Sequence, residues 1–213
     1  MKKLTKEEKV ELRQAVKMTR KRFKVKNFKK GKVIMTVFFT ADEHYGHYTS
    51  KDKNIIKYCN RPFSSIEKMD ETLINNHNEV VRDQDIVYHL GDFTLGNLDM
   101  AESYYQKLNG CHFFLQGSHD RWFWEPRPFI IEKKIQGQHI VMCHYAMRVW
   151  ARSHYNSWQI YGHSHGQLDP IGKQWDVGMD NNNFYPISFE NLKEIMNRQP
   201  DNFNLVKEKI KSN

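Results

Sequence analysis

The pattern of apolar and polar positions divides the chain into an N-terminal segment with loose helical spacing and a longer stretch in which short apolar runs alternate with amphipathic ones. Thr5-Lys-Glu-Glu8 has the form of a capping box, and Val10, Leu12, Val16 and Met18 follow at roughly helical intervals, which predicts a helix over residues 5–22. From Gly31 the pattern changes. Val33-Ile-Met-Thr-Val-Phe-Phe39 is β-branched and aromatic and of strand length, so the folded domain is expected to begin near residue 33. Four similar runs follow, over residues 86–90, 112–116, 139–143 and 158–161. Between them, Ser64-Ser-Ile-Glu67 caps a segment with Met69, Leu73, Ile74, His77 and Val81 at helical spacing, and Asp99-Met-Ala-Glu102 opens another that stops at Gly110. Alternating strands and helices predict an α/β domain over residues 33–198, followed by a helical tail over 199–213.

Composition sharpens this outline. A length of 213 residues suits one well-buried domain, and 13% aromatic with 39% hydrophobic residues argues for an ordered one. No run approaches the roughly 18 apolar residues of a membrane span, and the basic N-terminus is not followed by the apolar stretch of a secretory signal, so the cytoplasm is the expected location. Cys59, Cys111 and Cys143 are odd in number, far apart and without C-x-x-C spacing. Reduced thiols are therefore expected, rather than a disulfide framework or a thiolate zinc site. Charge is uneven. Residues 1–32 carry 14 basic against three acidic side chains, whereas the rest carries 19 against 22. Such a basic arm is suited to nucleic acid or another polyanion, and equally to a solvated helix with no partner.

The candidate chemistry lies at the ends of the five apolar runs. They lead into Asp42-Glu-His44 with His47 beyond, Gly91-Asp92, Gly117-Ser-His-Asp120, His144, and Gly162-His-Ser-His165. In open α/β sheets, ligands bind in the crevice beyond the carboxyl ends of the strands, so clusters 120 residues apart can converge on one site. Carboxylate oxygen and imidazole nitrogen suit manganese, iron, nickel or zinc. The two-residue repeats Asp42/His44 and His163/His165 put both side chains on one face if strand geometry persists. A lone histidine, or a lone Gly-Asp pair, would more simply be structural. The ordered set of five is what points to metal.

The same residues resemble the calcineurin-like metallophosphoesterases, whose motif order is D-x-H, G-D, G-N-H-[DE], H and G-H-x-H. The resemblance covers about residues 35–198. Asp42-Glu-His-Tyr-Gly-His47, Asn60-Arg-Pro-Phe63, Tyr88-His-Leu-Gly-Asp-Phe93 and Tyr161-Gly-His-Ser-His-Gly166 are similar to a small single-domain branch found in bacteria and their phages. The resemblance implies two mixed β-sheets packed together and flanked by helices in a four-layer α/β sandwich, with a two-metal centre at one edge. Asp42, His44 and His165 would hold the first ion, Asp92 would bridge, and Ser118, His144 and His163 would hold the second. Manganese is favoured, with iron, nickel, zinc or magnesium as alternatives. Ser118 departs from the family's asparagine, and a hydroxyl is a poorer donor to a divalent ion than an amide oxygen.

The implied activity is hydrolysis of a phosphodiester or phosphomonoester by a metal-bridging hydroxide, the two ions clamping the phosphoryl oxygens. His119 would protonate the leaving group and Asp120 would orient it. Tyr45, His47, Arg61 and Arg148 are candidates for the phosphate pocket, each arginine serving equally well as a surface ion-pair partner. Trp122, Phe123 and Trp124 would stack a nucleobase or pack beneath the site, packing being favoured. The basic arm makes a nucleotide or nucleic-acid substrate the favoured class. The rival expectation is a catalytically silent protein of the same fold that binds nucleic acid or a protein partner through the arm, and Ser118 is the residue that favours it.

Overall fold

The first sheet is built around the run that leads to Thr40, paired on both sides. In this computed structural model, which describes residues 35–206 other than Trp124, that run forms β1 (Val37–Thr40). The expected helix over residues 5–22 lies outside the described residues. A short ribbon of β2 (Tyr48–Ser50) and β3 (Lys53–Asn54) and a one-turn helix, α1 (Ile55–Tyr58), lead to α2 (Ile66–Val80). Ser65, one residue later than the capping box suggested, is the N-cap of α2, its hydroxyl accepting from the Lys68 N–H at 3.3 Å. β4 (Ile86–His89), α3 (Leu98–Tyr105) and β5 (Cys111–Phe114) complete this half. Asn97 rather than Asp99 caps α3, because its side chain reaches the Met100 N–H at 3.0 Å, and the helix ends well before Gly110.

The second half holds β6 (Ile130–Ile135), β7 (Gln138–Cys143), β8 (Trp158–Tyr161), β9 (Gln174–Asp176), β10 (Ile187–Ser188) and α4 (Phe189–Arg198). Among the described residues the strands form two four-stranded mixed sheets, ordered β10-β1-β4-β5 and β6-β7-β8-β9, besides the β2-β3 ribbon. In the first sheet β1, β4 and β5 are parallel and β10 is antiparallel to β1. In the second, β7, β8 and β9 are parallel and β6 is antiparallel to β7. The expected tail helix does not begin at 199: Pro200 cannot continue α4, residues 199–206 run without helical structure, and residues 207–213 lie outside the described residues.

The sheets pack face to face. Phe39, Tyr88, Leu90 and Leu115 of the first meet Ile140, Met142, Trp158 and Ile160 of the second, and Phe189, Leu192 and Met196 of α4 join the same core. Helices α2 and α3 cover the other face of the first sheet, where Met69, Leu73 and Ala101 pack with Phe93 and Phe114. Each large side chain buried there contributes about 1.5–3 kcal/mol relative to exposure. The result is an α/β fold of two mixed sheets flanked by helices.

A polar seam runs through the layer between α2 and the first sheet. His89 Nδ1 lies 2.7 Å from Glu43 Oε1, His89 Nε2 lies 2.8 Å from His112 Nδ1, and His77 Nε2 donates to the Asn109 carbonyl at 2.8 Å. Burial is the main cause that lowers these rings, to about 4 for His77, about 3 for His89 and about 2 for His112. Each therefore binds its proton more weakly folded than unfolded. Stability is complete above the ordinary value of 6.5 and is lost as pH falls from there toward the folded values, because the unfolded chain takes up protons first. Urea unfolding of chelator-treated protein between pH 6.5 and 4 should show His112→Phe with a pH slope shallower than wild type by up to about 1.4 kcal/mol per unit, one proton's worth. Parallel slopes would show that His112 does not titrate in this way.

Candidate metal centre

Parallel strands deliver their carboxyl ends to one rim, and the loops there are joined by hydrogen bonds before any side chain is considered. Asp42 N–H donates to Gly91 O and His44 N–H to Asp92 O, each at 3.0 Å, which fixes the loop after β1 against the loop after β4. Gly162 N–H donates to His144 O at 3.1 Å and joins the loops after β7 and β8. The two sheets are stitched together by His163 N–H to Asp42 Oδ2 at 2.7 Å, His144 Nδ1 to Leu90 O at 2.9 Å, and Met179 N–H to Ala41 O at 3.0 Å.

The backbone at this rim is not extended. Asp42, His44, Asp92, His163 and His165 have φ of 59°, 53°, 58°, 67° and 49°, in the left-handed region that few residues other than glycine adopt. The two-residue repeats thus share a site because left-handed turns aim them, not because strand geometry persists past Thr40 and Tyr161. Backbone conformations of this kind cost about 1–3 kcal/mol each and persist where the surroundings fix them. Arg61 supplies part of that fixing, donating to Asp42 O at 2.6 Å and Glu43 O at 3.1 Å.

Asp92 is the hub. Its Oδ2 lies 3.2 Å from His144 Nε2, 3.8 Å from His44 Nε2 and 4.0 Å from His119 Nε2, while Oδ1 accepts the His119 N–H at 2.8 Å. Asp42, His44 and His165 bring one donor atom each to within 4.8 Å of one another, and so do Asp92, His144 and His163. Asp42 Oδ1, His44 Nε2 and His144 Nε2 are buried with no hydrogen-bond partner. Buried polar atoms are rarely left so, and lone pairs converging from two triads fit divalent cations. The charges agree. Burial pushes the Asp42 carboxyl up to about 7, a cost that a nearby cation removes. Burial also acts on Asp92, but the close approach of the His144 and His44 rings and the His119 backbone N–H outweigh it and hold the carboxyl below the usual range.

Ser118 reaches this cluster differently from the implied ligand. Its hydroxyl donates to Asp92 Oδ2 at 3.0 Å, so it is placed as a partner of the carboxylate. His119 is at the mouth, with 46% of its side chain exposed. Asp120 does not orient it. The Asp120 oxygens accept from Asp92 N–H, Phe93 N–H, Gly117 N–H and Trp122 Nε1–H at 2.7–3.0 Å, which makes this residue the anchor of the Asp92 loop. His47 does reach the site: it is buried, its Nδ1 is unpartnered, and its ring lies 5.2 Å from His44 and 6.2 Å from His119.

Other expected contacts are elsewhere. Arg61 is buried and committed, its Nε and Nη2 on the two Asp180 oxygens at 2.8 and 2.7 Å. Arg148 is exposed and stacks 4.4 Å over Phe203. Tyr45 is buried against Tyr104, and Trp122 and Phe123 pack on Phe114. Asp180 is the site residue that sequence reading missed. It accepts from His165 Nδ1 at 2.7 Å; burial lowers this ring, but the Asp180 bond together with Cys59 and the Asp42 charge outweighs burial and raises His165 to about 10. Asp180 follows the three-residue strand β9, and recognising that strand would have brought it under the same rule as the other strand ends.

No protein-family model matches the chain. The sequence is 33% identical over 171 residues to the uncharacterized protein MJ1445 of Methanocaldococcus jannaschii, a match spanning 76% of this chain and 92% of that protein. The crystal structure of the protein of unknown function AQ665 from Aquifex aeolicus superposes with a TM-score of 0.59 at 21% identity, covering 76% of this chain and 100% of the other, a likeness of fold alone. A conserved uncharacterized protein from Streptococcus pneumoniae, described as a predicted phosphoesterase, gives a TM-score of 0.38 at 15% identity over 68% of this chain and 71% of that one, too loose to bear on this site.

The tight approach of the loops gives a direct test of the hub. A Cβ on Gly117 would fall 2.3 Å from both Asp92 N and Asp92 Oδ1, atoms that cannot yield without moving the carboxylate. Gly117→Ala is expected to destabilise the protein by about 1–3 kcal/mol in urea unfolding; wild-type stability would show that the Asp92 loop is not held as described.

Proposed function

The chain belongs to the family of the Methanocaldococcus jannaschii protein MJ1445, and from that premise we propose that it is a calcineurin-like metallophosphoesterase that hydrolyses a phosphate ester with two divalent ions. The observation that carries this reading is the pair of donor triads meeting at one carboxylate, with unpartnered donors in both halves. Asp42, His44 and His165 would hold one ion and His144 and His163 the other, with Asp92 shared. Donors of nitrogen and oxygen without sulfur suit manganese, iron, nickel or zinc, and the family resemblance makes manganese the favoured ion, with magnesium also compatible. When bound, such ions supply Lewis acidity toward phosphoryl oxygens and lower the pKa of water.

The protein's own groups supply the rest. His119 is exposed at the mouth, and its backbone N–H is held by Asp92, so the ring can reach the oxygen of a departing alcohol and give it a proton. His47, packed beside His44 and His119, faces the same space and is the best-placed further contact for a phosphoryl oxygen. Arg61 and Arg148 are not assigned to substrate, the first being committed to Asp180 and the second stacked on Phe203. A nucleotide or nucleic-acid ester is the favoured substrate class because residues 1–32, which lie outside the described residues, are strongly basic.

One observation favours the silent alternative: the Ser118 hydroxyl bonds to Asp92 and adds no amide oxygen to the second triad. Hydrolysis of mono- and bis-p-nitrophenyl phosphate with manganese, beside a metal count on the protein, separates the two. The proposal expects two bound ions and turnover. His119→Ala should keep both ions and lose about 10²–10⁴-fold in kcat, and Ser118→Asn should bind the second ion more tightly. Two ions without turnover of either ester would establish the silent reading, and unchanged kinetics in His119→Ala would remove that residue from the mechanism.

A further inference from the structure

We propose that Asp180 is a positioning residue for the first ion: it holds His165 with Nδ1 as the hydrogen-bond donor, leaving Nε2 as the ligand atom, while Arg61 ties Asp180 to the turn that carries Asp42 and His44. The inference rests on the metal-centre reading above and extends it to two residues that touch no ion.

A histidine ligand must present one unprotonated nitrogen, and the partner of its other nitrogen decides which one and at what angle. For His165 that partner is Asp180 Oδ2, 2.7 Å from Nδ1. Both groups are well covered, with side chains 16% and 9% exposed, so water competes poorly for the bond. His165 itself sits at φ 49° in a loop of the second sheet; that turn brings the side chain to the rim, and the partner of Nδ1 fixes how the ring is rotated there. Asp180 can set that rotation because it is tied twice to the first loop. Its neighbour Met179 donates to Ala41 O at 3.0 Å, and Arg61, whose side chain is fully buried, bonds both Asp180 oxygens and the carbonyls of Asp42 and Glu43. Ligands from two sheets are thereby set against each other through one guanidinium–carboxylate pair.

Another use of the same atoms is weaker. Cys59, His165 and Asp180 also bring donor atoms within 4.8 Å of one another, which would make a third cation set. Arg61 already occupies both Asp180 oxygens and places a positive charge beside them, so this carboxylate is oriented toward His165 and not open to an ion. The planar fork of arginine fits that task, since it fixes both oxygens at once.

The test isolates each half of the centre. Manganese is titrated calorimetrically into chelator-stripped protein in a His163→Ala background, which leaves the Asp42/His44/His165 triad intact, and in a His44→Ala background, which leaves the other. Asp180→Ala should weaken binding about 10–100-fold in the first background and leave the second unchanged. Asp180→Asn, close in shape and able to keep a bond to Arg61, guards against misfolding and should weaken the first background alone. Wild-type affinity in both variants, or equal loss in both backgrounds, would reduce Asp180 to a structural residue. If the otherwise unaltered chain binds no manganese, the metal centre itself is refuted and this role goes with it.

Discussion

Two sheets from different parts of the chain can share one metal centre only if their strand ends are held in fixed relation, and buried hydrogen bonds to carboxylate and carbonyl oxygens provide that hold. Asp42 accepts from the backbone of His163, the Asp92 loop hangs from Asp120, and His144 is anchored on Leu90. Apolar packing brings the sheets together but is non-directional. The polar contacts at the rim convert that approximate closeness into a defined arrangement of donors.

These contacts come with costs that explain one another. Five candidate ligand residues adopt left-handed backbone, carboxylates are buried, and lone pairs lie without partners. A fold selected for stability alone would have little reason to assemble all three in one place. Together they fit a preorganised cradle in which bound cations would relieve the electrostatic penalty, with Arg61 and Asp180 bonded to each other and to the loops that form it.

The architecture was largely legible because strand and helix periods are local properties, and the strand-end rule then pointed to Asp42, His44, Asp92, His144, His163 and His165, whose donor atoms the fold gathers into two groups. The short strands β9 and β10 carried too few residues for a period to show, and Asp180 was missed with them. The roles of Asp120, Arg61 and Ser118 depend on partners distant in sequence. Asp120 stands next to His119 in the chain yet bonds the loop that carries Asp92. For Arg61 a phosphate contact and an ion pair are equally open in the sequence until Asp180, 119 residues away, is seen to bind both arms of its fork. Caps were misplaced by one or two residues because Ser64, Ser65, Asn97 and Asp99 are all competent, and only the backbone path selects among them.

The central claim is that Asp92 stands between two ions held by the residues around it. A crystal grown with manganese and measured at the metal's absorption edge tests this most directly. The account predicts two anomalous peaks, one on each side of the Asp92 carboxylate and roughly 3.5–4 Å apart. A map with no peak at this rim, or with manganese elsewhere on the surface, would contradict it.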